Sequence, residues 1–538
     1  MHIAPLLVAV AVQALAPAAV PDVAPLFTEW TTATPGCAVG VESGGATLVS
    51  RGFGMADLER GVPNRADTIF EAGSVSKQFT AAAVLLLAHD GVLSLDDPVR
   101  RYVPELPASA EGVTIRQMLT HTSGLRDWGS VAGIGGWPRT TRAYAHGHVL
   151  DILARQSALN FPAGTRWSYS NSGYNLAAII VARTSGMSFA EFSRRRIFEP
   201  AGLTHTSWRD DHTRIVPGRA LAYELEADGY HTLMPFENVH GNGGLLTTVG
   251  DLLRWTRQFR APLIGDQAFL TEQVTPGRFA DGRAHDYGLG VWVGTYRGQR
   301  EVRHSGSTAG YRAYLMTFPG ISAGVAVLCN AASARAEALA YQVADLVLAA
   351  SLAPRPAAGT SLALTPAEQS AVTGLYRNRV TGVTSRLVAD GSGIKVERGP
   401  TLRAESARTL RGPADQRWVL EDGGVLRVTD LFGSEDVLER VQPWTPAAAD
   451  LNAFAGRYVS DEAETEFESV VDGSGLVLRQ RPDRVVRLTP LYQDAFTGSL
   501  GTIIFRRNGA GRITGLIVSQ DRVWELRFDR RGGGTDGQ

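Results

Sequence analysis

The sequence predicts an α/β layered domain, an antiparallel sheet flanked by helices, followed by two small antiparallel β-barrels. Three observations predict it. Strand-like runs stand at both ends of the first 350 residues, with helical sequence between them. A Pro/Ala-rich segment at 351–359 then breaks the pattern. Beyond it the chain turns to short strands and glycine turns, and it repeats. Strands at the two ends of one region imply a single sheet completed by both.

The opening strand pair is expected at 37–42 and 46–53, joined through Ser43-Gly44-Gly45. A helix is expected from Ser74 to Ala88, closed by Gly91. The middle is helical, with turns such as Pro162-Ala163-Gly164. Strands return at 301–304, 311–318 and 324–329, and a helix follows at 334–349. In the tail, Gly374-Leu375-Tyr376 recurs as Gly456-Arg457-Tyr458, and Asp390-Gly391-Ser392-Gly393-Ile394 as Asp472-Gly473-Ser474-Gly475-Leu476. Sixteen residues separate the two anchors in each copy, and the copies lie 82 residues apart. Eighty residues with a turn every eight to twelve suit a closed or nearly closed barrel. The expected units are a leader at 1–20, the layered domain at 21–350, a linker at 351–365, barrels at 366–445 and 446–530, and a polar tail at 531–538.

Charge is balanced, with 53 basic and 54 acidic residues and a net of -1. No basic stripe is present, so no nucleic-acid partner is expected. The first charged residue is Asp22; the Ala-rich apolar run before it reads as a signal peptide and implies a periplasmic or secreted protein, although its N-terminus carries only His2. An uncleaved anchor or a buried first helix are the alternatives. No later stretch reaches the ~20 apolar residues of a membrane span. The two cysteines, Cys37 and Cys329, both sit in strand-like runs. Two separate buried thiols are the expected state; one disulfide joining the ends of the domain is the alternative that export would permit. No metal constellation and no phosphate loop are present in the sequence, so neither metal nor cofactor is expected.

Only two lysines occur, Lys77 and Lys395; the other 51 basic residues are arginine. Arginine cannot deprotonate in a protein, whereas a desolvated lysine becomes a neutral base. Lys77 follows Ser74 by three residues, and positions i and i+3 share a helix face. The helix N-terminus beside Ser74 favours an alkoxide there and an oxyanion on an attacked carbonyl. On these residues alone, a helix-capping serine and a surface lysine remain the alternative.

Ser74-x-x-Lys77, Tyr169-Ser170-Asn171 and His304-Ser305-Gly306, in that order, resemble the three signatures of the penicillin-recognising serine hydrolases. Leu119-Thr120-His121-Thr122-Ser123-Gly124-Leu125 and Gly241-Asn242-Gly243-Gly244-Leu245 resemble further family segments. The resemblance covers about residues 25–350. It extends to class C β-lactamases, family esterases and, in three-part layout, bacterial D-aminopeptidases. It implies a β-lactamase-like catalytic domain and two lipocalin-like barrels.

The resemblance also implies roles. Ser74 would be the nucleophile and form an acyl-enzyme. Lys77 and Tyr169 would share the base work, a cationic lysine favouring the phenolate so that the pair titrates as a unit. Asn171 would orient Lys77 and bond the substrate amide. The amides of Ser74 and Ser307, just after Gly306, would form the oxyanion hole. His304 departs from the lysine usual at its position. A histidine is largely neutral at pH 7, so the grip on a substrate carboxylate should weaken. Weak β-lactamase and carboxypeptidase activity follow, with amides, free-amine peptides and esters favoured. In the resembled aminopeptidases a loop of the last barrel enters the cleft; residues 491–501 are the candidate here, with Asp494 placed to pair with a substrate ammonium. The expected partner is a small-molecule or short-peptide substrate, and the assembly considered is a homodimer. The expected function is D-aminopeptidase or D-amino-acid amidase; the rivals are a carboxylesterase or weak β-lactamase on the same residues, and a peptidoglycan-sensing module with little turnover.

Overall fold

Strand β1 (Cys37–Ser43) is buried along nearly its whole length, as a strand covered on both faces must be. β2 (Ala46–Phe53) is mostly exposed or half-exposed, and it lies at an edge. In the computed structural model the described residues are 20–531, apart from 140, 356–358, 431–432 and 474; the expected leader before residue 20 and the tail after residue 531 lie outside them. Three further elements follow: helices α1 (Lys77–His89), α2 (Asn171–Ser185) and α3 (Val249–Thr256). The chain then returns to the sheet as β3 (Trp292–Tyr296), β4 (Gln299–Thr308), β5 (Tyr311–Phe318) and β6 (Ala323–Cys329), and closes with helix α4 (Ala336–Val347). The sheet order is β3-β4-β5-β6-β1-β2 and every pairing is antiparallel, so both ends of the region complete one sheet.

The alternation of β1 explains the two helix layers. Cys37, Val39 and Val41 pack with Leu339, Ala340 and Val343 of α4. Ala38 faces the other core, with α1, α2 and α3. Gly40 lies on that second face, where a Cβ would collide with Leu253, so its missing side chain lets α3 lie close to the sheet. α1 is mostly apolar and is buried at every position from Lys77 to Leu87, the signature of a central helix.

Cys37 stands directly opposite Cys329 in the β1–β6 register, and the two form a disulfide. This corrects the expectation of two separate thiols. The physical reason is the register: sequence distance concealed that the two strands are neighbours, and antiparallel partners lie within bridging distance.

The tail forms two closed eight-stranded antiparallel barrels, from Gly374–Asn378 to Glu435–Val441 and from Gly456–Ser460 to Val523–Arg531. The repeat is visible in their closure. Tyr376 donates to the carbonyl of Val372 and Tyr458 to that of Phe454, each four residues back. Arg440 and Arg530 then cap these rings from the last strand of each barrel. The second barrel docks on the catalytic domain through the buried Arg126–Glu462 pair, and through Gln480 and Arg484 donating to the carbonyls of Ile134 and Gly133. The first docks through Arg166 with Asp436 and through the Trp167 amide donating to Ser434.

The disulfide closes a loop of nearly 300 residues, so it restricts the unfolded chain strongly. Replacing both cysteines with alanine should lower the urea midpoint by the equivalent of about 2–4 kcal/mol. An unchanged midpoint would show that the bond adds no stability.

Candidate active site

Ser74 does not open an α-helix. It sits in a 3-10 turn, Gly73–Ser76, that leads into α1. The difference strengthens the pairing, because side chains at i and i+3 eclipse in 3-10 geometry. The Lys77 amide donates to the Ser74 carbonyl, and Lys77 Nζ lies 3.1 Å from Ser74 Oγ. The turn is pinned by Ser76, whose hydroxyl donates to the Gly73 carbonyl and accepts from the Leu245 amide.

Lys77 is fully buried. Its amine has two other contacts, Asn171 Oδ1 at 2.9 Å and the Asn242 carbonyl at 2.7 Å. Both are acceptors only, and no carboxylate touches the amine among the described residues. A neutral amine has two hydrogens and one lone pair. Giving the hydrogens to those two oxygens turns the lone pair onto Ser74 Oγ. Burial, and next the charges of Arg522 and Arg139, hold the Lys77 amine well below its ordinary range.

Tyr169 lies on the extended approach to α2 and its hydroxyl donates to Ser74 Oγ at 2.7 Å. Burial pushes its proton affinity up, more than the Ser74 hydrogen bond and the Arg522 charge pull it down. The expected phenolate is thus corrected: desolvation wins, and the resting phenol keeps its proton. Asn171 is the first residue of α2, and its amide donates to Asp127 Oδ2 at 2.8 Å. Asn175, one turn later, donates to Asn242 Oδ1 and to the His240 carbonyl. It thereby orients the backbone carbonyl that accepts the Lys77 hydrogen bond.

The third motif lies on β4. Strand alternation buries His304 and Gly306 and leaves Ser305 and Ser307 exposed. A Cβ at Gly306 would overlap the Ala72 carbonyl, so glycine lets β4 lie against the Ser74 turn. A Cβ on Gly73 would lie 2.6 Å from the Ser307 amide nitrogen, which brings that amide beside the Ser74 turn. His304 accepts from the Tyr287 hydroxyl at Nε2 (2.9 Å) and donates from Nδ1 to its neighbour's carbonyl (2.6 Å). Burial, followed by the Lys77 charge, pushes its imidazole down to about 3. It is neutral, and both ring nitrogens are occupied.

A cavity of about 450 Å³ opens over these groups, lined among others by Ser74, Tyr169, Asn171, His304 and Ser307. Asp494 is elsewhere. It sits in a barrel turn, with both carboxylate oxygens on Arg507 at 2.7 to 3.1 Å. The second barrel reaches the cavity instead with Arg522, from the turn before its last strand. Asn242, Asn175, Asp127, Tyr287 and Arg522 were not singled out as site residues by the sequence. Asn242 lies in the glycine-rich family segment, which was a signal; an arginine in a barrel turn carries none.

Residues 22–348 match the family described as Beta-lactamase. The chain belongs to the beta-lactamase family. It is 27% identical over 506 residues to a D-aminopeptidase from Cereibacter sphaeroides, covering 90% of this chain and 93% of the relative. It is 30% identical over 293 residues to penicillin-binding protein 4* from Bacillus subtilis, covering 51% of this chain and 63% of that one, less than two thirds of its length. The solved octameric penicillin-binding protein homologue from Pyrococcus abyssi shares the fold, with a TM-score of 0.54 at 22% identity, over 84% of this chain and 96% of the other. The architecture is therefore a β-lactamase-like catalytic domain with two C-terminal barrels, and the chain is a serine hydrolase.

A neutral Lys77 can take the Ser74 proton while Tyr169 hands its own on. The neutral fraction of Lys77 falls as pH drops through its folded-state value, so the acylation rate should fall on the acid side of a single ionisation well below 10.5. His304 adds no step between pH 4 and 9, being already neutral there. Lys77→Arg should lower acylation by about 10³-fold or more, since an arginine stays protonated and has no lone pair to offer Ser74, with folding of the variant checked by circular dichroism. Stopped-flow acylation against pH, on both proteins, measures this; an unchanged rate in the variant would remove Lys77 as the base.

Proposed function

We propose that this chain hydrolyses amide or ester bonds of small substrates through an acyl-Ser74 intermediate, as a D-aminopeptidase or D-amino-acid amidase-like enzyme. The observation that carries the reading is the fully buried amine of Lys77, held by acceptors and aimed at Ser74 Oγ. In this reading Ser74 attacks, Lys77 receives its proton, and Tyr169 carries a proton to the leaving group. Asn171 bonds the substrate amide through its Nδ2, which donates to no group among the described residues, and the Ser74 and Ser307 amides hold the oxyanion, each worth about 3 kcal/mol of the barrier. The D-aminopeptidase relative, aligned over 90% of this chain, supports the amidase assignment. The Cys37–Cys329 disulfide supports export to an oxidising compartment, the periplasm or beyond.

One observation favours a second reading, a carboxylesterase. No carboxylate lines the Ser74 cavity among the described residues, so a substrate ammonium has no anionic partner there.

A panel of D- and L-amino-acid amides, short p-nitrophenyl esters and nitrocefin, on wild type and Ser74→Ala, decides between them. The amidase reading expects D-amides to be turned over faster than L-amides, all of it lost in Ser74→Ala. Esters alone would select the second reading. Product equal only to enzyme would defeat both.

A further inference from the structure

From the cavity outward, one charge has no counter-charge. Arg522 lines the Ser74 cavity, and it also lines a larger space of about 1080 Å³ where the catalytic domain and the two barrels meet. It therefore stands at the throat between them. Its guanidinium lies 4.7 Å from the centre of the Tyr169 ring, whose hydroxyl bonds Ser74. Among the described residues no carboxylate pairs with it. The other arginine of the cavity differs: Arg139 gives its fork to Glu237.

The turn that carries Arg522 is fixed. Its backbone carbonyl accepts from the Asp127 amide at 3.2 Å and from Asn160 Nδ2 at 3.0 Å. The Trp524 amide donates to Asn160 Oδ1 at 2.8 Å, and Arg126 donates to the Trp524 carbonyl at 3.0 Å. Asp127 is the residue that also holds Asn171. The barrel turn and the Lys77 network thus share a brace, and the guanidinium is presented on rigid backbone. A preorganised, half-buried arginine with open donors is suited to bidentate recognition of a planar anion.

We propose that Arg522 is a specificity residue that binds a carboxylate on the substrate, so that the enzyme prefers anionic acyl compounds over neutral and cationic ones. This rests on the acyl-Ser74 reading alone and departs from the amino-amide substrate class, whose ammonium would meet no acid in the cavity among the described residues. The anionic hold that His304 cannot supply comes from the second barrel. The cavity is lined by Arg139 and Arg522 and, among the described residues, by no acid, so a free ammonium on the substrate is disfavoured.

The test uses three p-nitrophenyl esters of one acyl length: the mono-ester of adipate, the hexanoate and the 6-aminohexanoate. Wild type should rank them in that order by kcat/KM. Arg522→Ala should lower the adipate-to-hexanoate ratio by about tenfold or more, through KM, and Arg522→Lys should recover part of it. Because the turn is held through backbone atoms, folding of the variants is checked by circular dichroism. A ratio unmoved by Arg522→Ala, or no preference for adipate in wild type, overturns the anchor while leaving the acyl-enzyme reading intact. Hydrolysis no faster than in Ser74→Ala would instead overturn the acyl-enzyme reading.

Discussion

The structure depends on one costly act, the burial of a lysine amine that no carboxylate touches among the described residues. A buried ammonium would be held far from its hydration, and its stable answer is to give up the proton. That answer is useful only where the lone pair faces a nucleophile. The two oxygens of Asn171 and Asn242 leave it one direction, toward Ser74. Everything around the site maintains that geometry: the 3-10 turn that eclipses Ser74 over Lys77, the α2 terminus that presents Asn171, and Asn175 behind the Asn242 segment. The scarcity of lysine elsewhere agrees with this. Where only a positive charge is needed the chain uses arginine, and Lys395, the other lysine, sits on a barrel 3.5 Å from Asp390.

The fold brings these pieces together from distant sequence. β1 and β2 come from the start of the domain, and β4, which carries His304 and Ser307, from its end. The sheet joins them through the β1–β6 pairing, and the disulfide crosses that same seam. The barrels add no strand to the sheet. Their contribution to the site is made by a single turn, braced against Asp127, that sets a guanidinium over the Tyr169 ring.

Much of this was legible in sequence, for physical reasons. Strands such as Ala46–Phe53 and Tyr311–Phe318 have sharp turn signals at their ends, and the structure places them within those bounds. The Ser74–Lys77 spacing is local, so its meaning survives without a structure. The duplicated barrels showed through their Gly-x-Tyr starts and Asp-Gly turns. What was hidden is long-range or electrostatic. The Cys37–Cys329 register needs the sheet order. The protonated state of Tyr169 follows from how deeply the phenol is enclosed, which no spacing reports. Asp494 is an acid in a suitable loop by sequence, yet a neighbouring strand supplies Arg507 to hold it. Arg522 carries no sequence signal, because the identity of a turn arginine says nothing of what lies beneath it.

Because the chain has only two lysines, one spectrum can report on the central amine. Selective ¹³C labelling of lysine, with Lys77→Arg to assign the signals, follows the protonation of Lys77 directly by NMR across pH. The account requires the Lys77 signal to titrate well below 10.5, under native conditions and with no substrate present. A Lys77 midpoint at or above that value would show an ammonium in the resting site and contradict it.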